Sequence, residues 1–473
     1  MHRLKAIVLF VLLCSGAIAA DKPNVLFIFA DDQCYKTIRS LNNDEIKTPN
    51  LDRLVARGTT FTHAYNMGGW NGAICVASRT MMVTGKFIWN AEAGAKTMAK
   101  ELDGQFWPQL MEKAGYDTYF TGKWHVQAKN EQLFKYSRHV RGGMPKQTPE
   151  GYNRPVEGQP DKWDPSDPKF GGFWQGGKHW SEVVGDDATD YLDISKDSDN
   201  PFFMYIAFNA PHDPRQAPKQ YVDMYPTKNI KLPPSFMPEY PWKDAIGCSP
   251  KLRDEALAPF PRTKYAVQVN RREYYAIITH MDDQIGRILD HLESTGQADN
   301  TYIFFGADHG LSVGHHGLIG KQSLFDHSMR VPFMAVGPGI PAGKKLDTPI
   351  YVQDVMATSL QLAKAERPAH VQFKSLMPII KGGSADHYGA ISGSYVNLQR
   401  CVIDGDHKLI LYPKIKKALL FDLAADPEEM DDLAGKPDSK PKMQALFATL
   451  LDLQKENGDK LDLVSSYPEL AQP

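Results

Sequence analysis

Asn24-Val25-Leu26-Phe27-Ile28-Phe29-Ala30 is an apolar run that stops at a pair of acids, Asp31-Asp32. A run with no polar face must be buried on both sides, which is the condition of a central strand in a parallel sheet. The pattern recurs. Residues 116–120 lead into Gly122-Lys123-Trp124-His125, residues 202–208 into Ala210-Pro211-His212, and residues 301–306 into Ala307-Asp308-His309-Gly310. Helical stretches separate these runs. Thr48-Pro49-Asn50-Leu51 predicts a cap, a first-turn proline and a helix through Ala56, closed by Gly58. A short strand over 61–65 and a helix over 79–83, ending at Gly85, come next. Residues 265–292 carry Ile277, Ile278, Met281, Ile285, Ile288 and Leu289 on one helical stripe. Strands that alternate with helices and deliver polar residues at their ends predict an α/β fold whose ligand crevice lies at the strands' carboxyl ends.

Two regions break that rhythm. Residues 138–181 are rich in Gly, Pro, Lys, Asp and Trp without periodicity and read as an insertion loop of the kind that usually serves function. After about residue 370 the texture changes to short antiparallel strands at 388–398, 399–403, 408–412 and 418–423. A helix over 441–453 follows, with Ser439 as its cap and proline in its first turn. The reading is a catalytic domain over 20–370 and a smaller C-terminal subdomain over 371–473. At 473 residues the chain is long enough for both.

Residues 1–19 have the pattern of an export signal: His2, Arg3 and Lys5 precede an apolar stretch over 6–14, and Ala17-Ile18-Ala19 is a small-x-small cleavage site. The apolar stretch is too short for a membrane anchor, so an exported protein, periplasmic or secreted, is expected. Basic and acidic residues nearly balance, 54 against 56, and removal of Arg3 and Lys5 moves the net charge from -2 to -4. Nothing in that balance grips a nucleic-acid backbone. Past Cys14, the cysteines Cys34, Cys75, Cys248 and Cys401 are too dispersed for a disulfide scaffold and form no Cys-x-x-Cys zinc pair.

The strand-end residues carry the chemistry. Asp31, Asp32, Asp308 and His309 close two apolar strands; if those strands are neighbours, three carboxylates and an imidazole meet and require a cation. An oxygen-rich set favours Ca²⁺ or Mg²⁺, with Ca²⁺ preferred where strict octahedral geometry is not imposed. Lys123, His125, His212 and Lys321 occupy Gly- or Pro-bounded turns and suit an anionic substrate group with acid/base help. Arg79 lies one helical turn after Cys75 and adds positive charge beside it. A cation, cationic side chains and a nucleophile describe phosphoryl or sulfuryl transfer.

The stretch Ala73-Ile74-Cys75-Val76-Ala77-Ser78-Arg79-Thr80-Met81-Met82-Val83-Thr84-Gly85 resembles the signature of the type I, formylglycine-dependent sulfatases of the alkaline phosphatase superfamily. Further matches fall in family order: residues 24–32, Thr48-Pro49-Asn50-Leu51-Asp52-Arg53-Leu54, Gly122-Lys123-Trp124-His125, Pro211-His212-Asp213-Pro214, Asp308-His309-Gly310, Gly320-Lys321 and Arg330-Val331-Pro332. Ala77 stands where the family usually has proline, and Met82 where it usually has leucine. The resemblance implies a large, mixed, mostly parallel sheet flanked by helices, with a C-terminal antiparallel sheet and helix. It implies one Ca²⁺ bound by Asp31, Asp32, Asp308 and His309. It also implies that a formylglycine-generating maturation enzyme converts Cys75 to 3-oxoalanine, whose hydrate attacks sulfur. Arg79 would stabilise the hydrate, His125 hold it, and Lys123 and Lys321 clamp the sulfate. His212 or Lys321 would protonate the leaving alcohol, and His125 or Asp32 would take the proton when sulfate is expelled.

In the insertion, Trp163, Trp174 and Trp180 stand among Arg138, Arg141, Lys178 and His179. Flat aromatics with cations suit sugar faces and their anionic substituents, so a sulfated glycan is the expected substrate, with His179, Trp180, Trp174 and Arg141 as its contacts. The alternatives are an aryl or choline sulfatase, a phosphodiesterase or phosphonate monoester hydrolase, and an inactive glycan-binding protein. The last requires a broken site, and Cys75, Arg79, Lys123, His212 and Lys321 are all in place.

Overall fold

The computed structural model describes residues 22–143, 148–173, 177–383 and 387–472. The expected export signal and Trp174 lie outside them. Among the described residues, fourteen strands form two sheets. The nine-stranded sheet contains β1 (Asn24–Asp31), β2 (Thr59–Tyr65), β4 (Asp117–Lys123), β5 (Tyr136–Arg141), β6 (Phe202–Pro211), β7 (Thr301–Ala307), β8 (Arg330–Val336), β9 (Lys344–Leu346) and β10 (Ile350–Tyr351). The five-stranded sheet contains β3 (Gly68–Gly69), β11 (Ile391–Tyr395), β12 (Gln399–Asp404), β13 (His407–Tyr412) and β14 (Lys417–Asp422).

The large sheet runs β10-β2-β8-β7-β1-β6-β4-β5, with β9 beside β2. Only β8 runs against its neighbours, pairing antiparallel with β2 and β7. The apolar run of β1 is buried along its whole length, as its lack of a polar face requires. Phe27 packs against the rings of Trp107 and Tyr205 at 5.5 and 4.9 Å. The small sheet is antiparallel except where β3 pairs parallel with β11. That pairing ties the segment just before Cys75 to the C-terminal sheet.

Five helices matter for the site: α1 (Pro49–Arg57), α2 (Ile74–Thr84), α3 (Trp180–Lys196), α4 (Lys264–Ser294) and α5 (Lys440–Asn457). The expected stripe of α4 is buried throughout. Three local expectations are corrected. Helix α2 starts at Ile74, so Cys75 lies inside its first turn and does not precede it; the Asn71 side chain accepts from Ala73 N at 2.8 Å and turns the chain into the helix early. Thr48 does not cap α1, because its hydroxyl accepts from Arg39 N at 2.9 Å. The first-turn amides of Asn50 and Leu51 donate instead to Asp282 of α4, at 3.0 and 2.7 Å. Ser439 does not cap α5 either; its hydroxyl donates to Leu433 O at 2.7 Å. Among the described residues no helix is long and apolar enough to cross a membrane.

Candidate active site

Four adjacent parallel strands, β7, β1, β6 and β4, end at one place. Ala30 of β1 is the register partner of Ala307 of β7, so Asp31 and Asp308 emerge side by side. Asp31 pairs with Pro211 of β6, which delivers His212, and β4 contributes Lys123 as its last residue. The sequence could show four polar strand ends but not that the strands are neighbours.

Asp31, Asp32, Asp308 and His309 are fully buried, and one ligand atom of each lies within 4.8 Å of the others. The His309 ring donates from Nδ1 to Gly310 O at 2.7 Å, because a carbonyl can only accept. In its neutral form the ring then turns the lone pair of Nε2 towards Asp32 Oδ1 at 3.1 Å and Asp308 Oδ1 at 3.8 Å. Two carboxylates facing a lone pair repel unless a cation stands between them. His309 Nε2 and Asp31 Oδ1 are both buried without a hydrogen-bond partner, which fits two ligand atoms of a metal site. Electrostatics say the same. Burial opposes both adjacent carboxylates, yet Lys123, with His212, Arg79 and Lys321, holds Asp31 well below the usual carboxyl range. Asp32 is pushed up to about 8 by burial, against His212 and Lys321 and with the help of Asp31 and Asp308. A further positive charge beside Asp31 and Asp32 would offset their burial.

Cationic side chains close round this cluster. Lys123, with no solvent exposure, donates to Asp31, and Lys321 donates to both oxygens of Asp32 at 2.9 Å. Arg79 reaches two strand ends at once: Nε donates to Asp308 Oδ2 at 3.1 Å and Nη1 to Lys123 O at 2.6 Å. Ser78 donates to Asp308 O at 2.9 Å and accepts from Gln353 Nε2 at 3.1 Å. Cys75 sits in the first turn of α2, where the helix dipole favours negative charge, with its Sγ 3.2 Å from His125 Nδ1. Burial raises the Cys75 thiol, but Lys123 and Lys321 more than offset it and bring it below its ordinary value. His125 is held neutral, at about 4, by burial and by Lys123. Two of these residues, Asp32 (φ 70°) and His125 (φ 54°), have the left-handed backbone that non-glycine residues rarely adopt.

The structure thus brings Cys75, Arg79, Lys123, His212 and Lys321, all buried, and the half-buried His125 to the cluster of Asp31, Asp32, Asp308 and His309. The insertion is placed differently. Trp180 and His179 are each 2% exposed, at the start of α3, and the Arg141 guanidinium lies 3.7 Å over the Trp180 ring. His179 Nδ1 accepts from Ser181 N at 3.1 Å as the cap of α3. Trp163 stacks on Phe170 at 4.5 Å, and Arg138 and Lys178 pair with Asp190 and Asp186 of α3. Arg141, the register partner of Lys123, is the insertion residue nearest the strand-end cluster in the sheet.

Three residues at the site were missed by sequence reasoning. Asp213 holds His212, whose Nδ1 lies 3.1 Å from its carboxylate. Asp254 lies 3.9 Å from Lys321 Nζ, and Arg253 donates to Asp213 and Asp254 together. Asp213 at least stood inside the Pro-His-Asp-Pro match. Arg253-Asp254-Glu255 reads in sequence as an exposed charged turn, and only the fold reveals that Asp254 and Glu255 are buried.

A family model described as Sulfatase matches residues 23–365, and one described as N-sulphoglucosamine sulphohydrolase, C-terminal, matches residues 314–456. A sulfatase of Formosa agariphila is 28% identical over 91% of this chain and 86% of its own length. An N-acetylglucosamine-6-O-sulfatase of Bacteroides thetaiotaomicron is 25% identical over 93% and 87%. Among solved structures, one in complex with its substrate D-glucosamine-2-N,6-O-disulfate superposes with a TM-score of 0.75 at 24% identity, covering 93% of this chain and 99% of the other. The phosphonate monoester hydrolase of Agrobacterium radiobacter follows at 0.72 and 20% identity, covering 92% and 96%. With a strand-end cluster of this composition and a family model spanning most of its length, the chain belongs to the sulfatase family and is a sulfuric ester hydrolase.

Proposed function

We propose that this sulfatase removes sulfate from a sulfated saccharide after export, with Cys75 matured to formylglycine by a formylglycine-generating enzyme and one Ca²⁺ at the strand-end cluster. The observation that carries the reading is the position of Cys75: at the start of α2, beside His125, in the field of Lys123 and Lys321. Asp31, Asp32, Asp308 and His309 would hold the calcium, which supplies positive charge to the ester's non-bridging oxygens. A formylglycine at 75 supplies, as its hydrate, the hydroxyl nucleophile and a second hydroxyl through which sulfate is expelled.

The chain's own residues do the rest. Lys123 and Lys321, freed from sharing the carboxylates once a cation is bound, turn their ammonium groups to the sulfate oxygens, where charge is held as the S–O bond breaks. His125, neutral and next to position 75, orients the nucleophile and takes its proton. Arg79 ties the end of β4 to Asp308 just past the end of β7. Beyond the sulfate, Arg141 is the residue best placed to read a neighbouring group of the sugar, with Trp180 supporting its guanidinium and His179 capping the helix behind it. The saccharide names among the relatives and the cationic insertion support this substrate class over a small aryl ester.

The test is a screen of the matured protein against desalted sulfated oligosaccharides, with released sulfate measured by ion chromatography. Sulfate release from at least one saccharide, faster than from 4-nitrophenyl sulfate, is the expected outcome. Faster turnover of a phosphate diester or phosphonate monoester than of any sulfate would overturn the proposal.

A further inference from the structure

Three side chains, Asp213 of the Pro-His-Asp-Pro stretch together with Arg253 and Asp254, form a continuous chain behind the two candidate proton donors. His212 is almost fully buried, and its Nδ1 lies 2.8 Å from Asp213 O and 3.1 Å from Asp213 Oδ1, both acceptors. Nδ1 therefore carries a proton and Nε2 is the end left to face the site, 3.8 Å from Asp32 Oδ2. The other Asp213 oxygen accepts from Arg253 Nη2, whose sister nitrogen Nη1 donates to Asp254 Oδ1 at 2.7 Å. Asp254 Oδ2 accepts from Gln322 Nε2 at 2.7 Å and lies 3.9 Å from Lys321 Nζ. One guanidinium thus ties together two buried carboxylates, one serving His212 and the other Lys321.

We propose that Asp213, anchored by Arg253, is a positioning residue that makes His212 the proton donor to the leaving alcohol. Lys321 turns its ammonium to the sulfate and has Asp254 3.9 Å away, whereas His212 has a carboxylate 3.1 Å from the ring nitrogen opposite the site. A carboxylate there fixes the ring's orientation and stabilises the imidazolium, as an orienting acid does behind a catalytic histidine. In the step assigned to His212, the nucleophile's oxygen at position 75 bonds to sulfur as the S–O bond to the alcohol breaks, and the electron pair of that bond goes to the alcohol oxygen. That oxygen takes the Nε2 proton, and the neutral imidazole recovers one from the water that the hydrolysis consumes. Arg253 completes the device: it holds Asp213 against rotation and keeps Asp254 beside Lys321, whose ammonium stays on the sulfate side. The inference rests on the sulfatase reading above.

Leaving groups separate this role from a merely structural one. An acidic phenol departs as its anion without a proton, whereas a sugar hydroxyl requires one, so loss of the proton donor's support must appear on the sugar ester alone. Wild type, Asp213→Asn and Arg253→Met, each matured and metal-loaded, are compared on 4-nitrophenyl sulfate and on the best sulfated saccharide. For Asp213→Asn, kcat on the saccharide should fall about 100-fold with KM little changed, and kcat on 4-nitrophenyl sulfate by less than about threefold. The Arg253 side chain is 40% exposed, so its replacement opens the two carboxylates it bridges to water. Arg253→Met therefore gives a second reading if Asp213→Asn fails to fold, and it should show the same selectivity at about tenfold. Equal losses on both esters, or no loss on the saccharide, in the variant that folds overturns the inference. If wild type hydrolyses neither ester, the sulfatase reading itself fails, an outcome distinct from the loss of selectivity.

Discussion

Arg79→Lys isolates what a forked side chain does that a point charge cannot. The guanidinium is 1% exposed, donates from Nε to Asp308 at 3.1 Å and from Nη1 to Lys123 O at 2.6 Å, and lies 5.1 Å over the Phe29 ring. These acceptors stand just past the end of β7 and at the end of β4, with β1 and β6 between them. A lysine keeps the charge but brings one nitrogen, which can satisfy either acceptor and not both. Removal of one charge-assisted hydrogen bond, with a buried carbonyl left unpaired, costs about 2–3 kcal/mol. Because the two acceptors frame the catalytic cluster, turnover should fall as well, by about tenfold to a hundredfold. Urea unfolding followed by fluorescence, with calcium and again with chelator, measures the first effect, and initial rates at saturating substrate measure the second. The loss of stability should persist in chelator, since both hydrogen bonds belong to the protein. A destabilisation below about 0.5 kcal/mol together with unchanged turnover would refute the reasoning, because it would mean that the fork is dispensable.

Acid stability should turn on buried histidine. Burial holds His316 at about 4, its Nε2 donates to Glu429 O at 3.0 Å, and its ring stacks on Phe325 at 4.0 Å. Its folded value lies below the unfolded value of about 6.5, so its contribution, up to about 3 kcal/mol, is complete above that pH and is lost as pH falls towards the folded value. Melting temperatures measured across that window should fall less steeply in His316→Gln than in wild type; parallel curves would exclude His316 as the source. Chelation should abolish sulfate release and lower the melting temperature. Calcium should restore both better than zinc, and full activity with stoichiometric zinc would contradict the oxygen-rich assignment. Trp180→Ala should destabilise by about 3–5 kcal/mol, because it empties a buried ring site. It should also lower saccharide turnover more than 4-nitrophenyl sulfate turnover, through the loss of support for Arg141; equal losses would remove Arg141 from substrate recognition.

The strands that matter most were legible because burial on both faces leaves an unmistakable apolar run, and each run stopped at residues too polar to continue it. β1, β6 and β7 extend one to three residues beyond the predicted ends, since backbone pairing carries on through Asp31, Pro211 and Ala307. The strand-end cluster was legible for a related reason: apart from Lys321, which stands in a loop after a glycine, its members lie at strand ends or in the Cys75 stretch, where residue type and spacing are both informative. Capping was not, because the amides of α1 are satisfied by Asp282, 231 positions away from Leu51. Nor was the role of Trp180. An aromatic among cations has the same pattern whether it faces a sugar or lies buried under Arg141, and the difference is set by the packing of α3. Asp254 and Arg253 gave no sign because the turn that carries them has no periodicity and owes its position to contacts with distant loops.

The account stands or falls on the chemical state of position 75. Protein secreted from, or co-expressed with, a formylglycine-generating enzyme should be assayed for sulfate release, digested, and the peptide containing Cys75 weighed. With remaining thiols alkylated first, because the hydrate weighs nearly the same as unmodified cysteine, the account predicts that activity tracks the fraction of peptide lighter than the cysteine form by about 18 Da, the change from thiol to aldehyde. It also predicts that Cys75→Ala folds without releasing sulfate. Full sulfate release by protein whose Cys75 is entirely unmodified would contradict it.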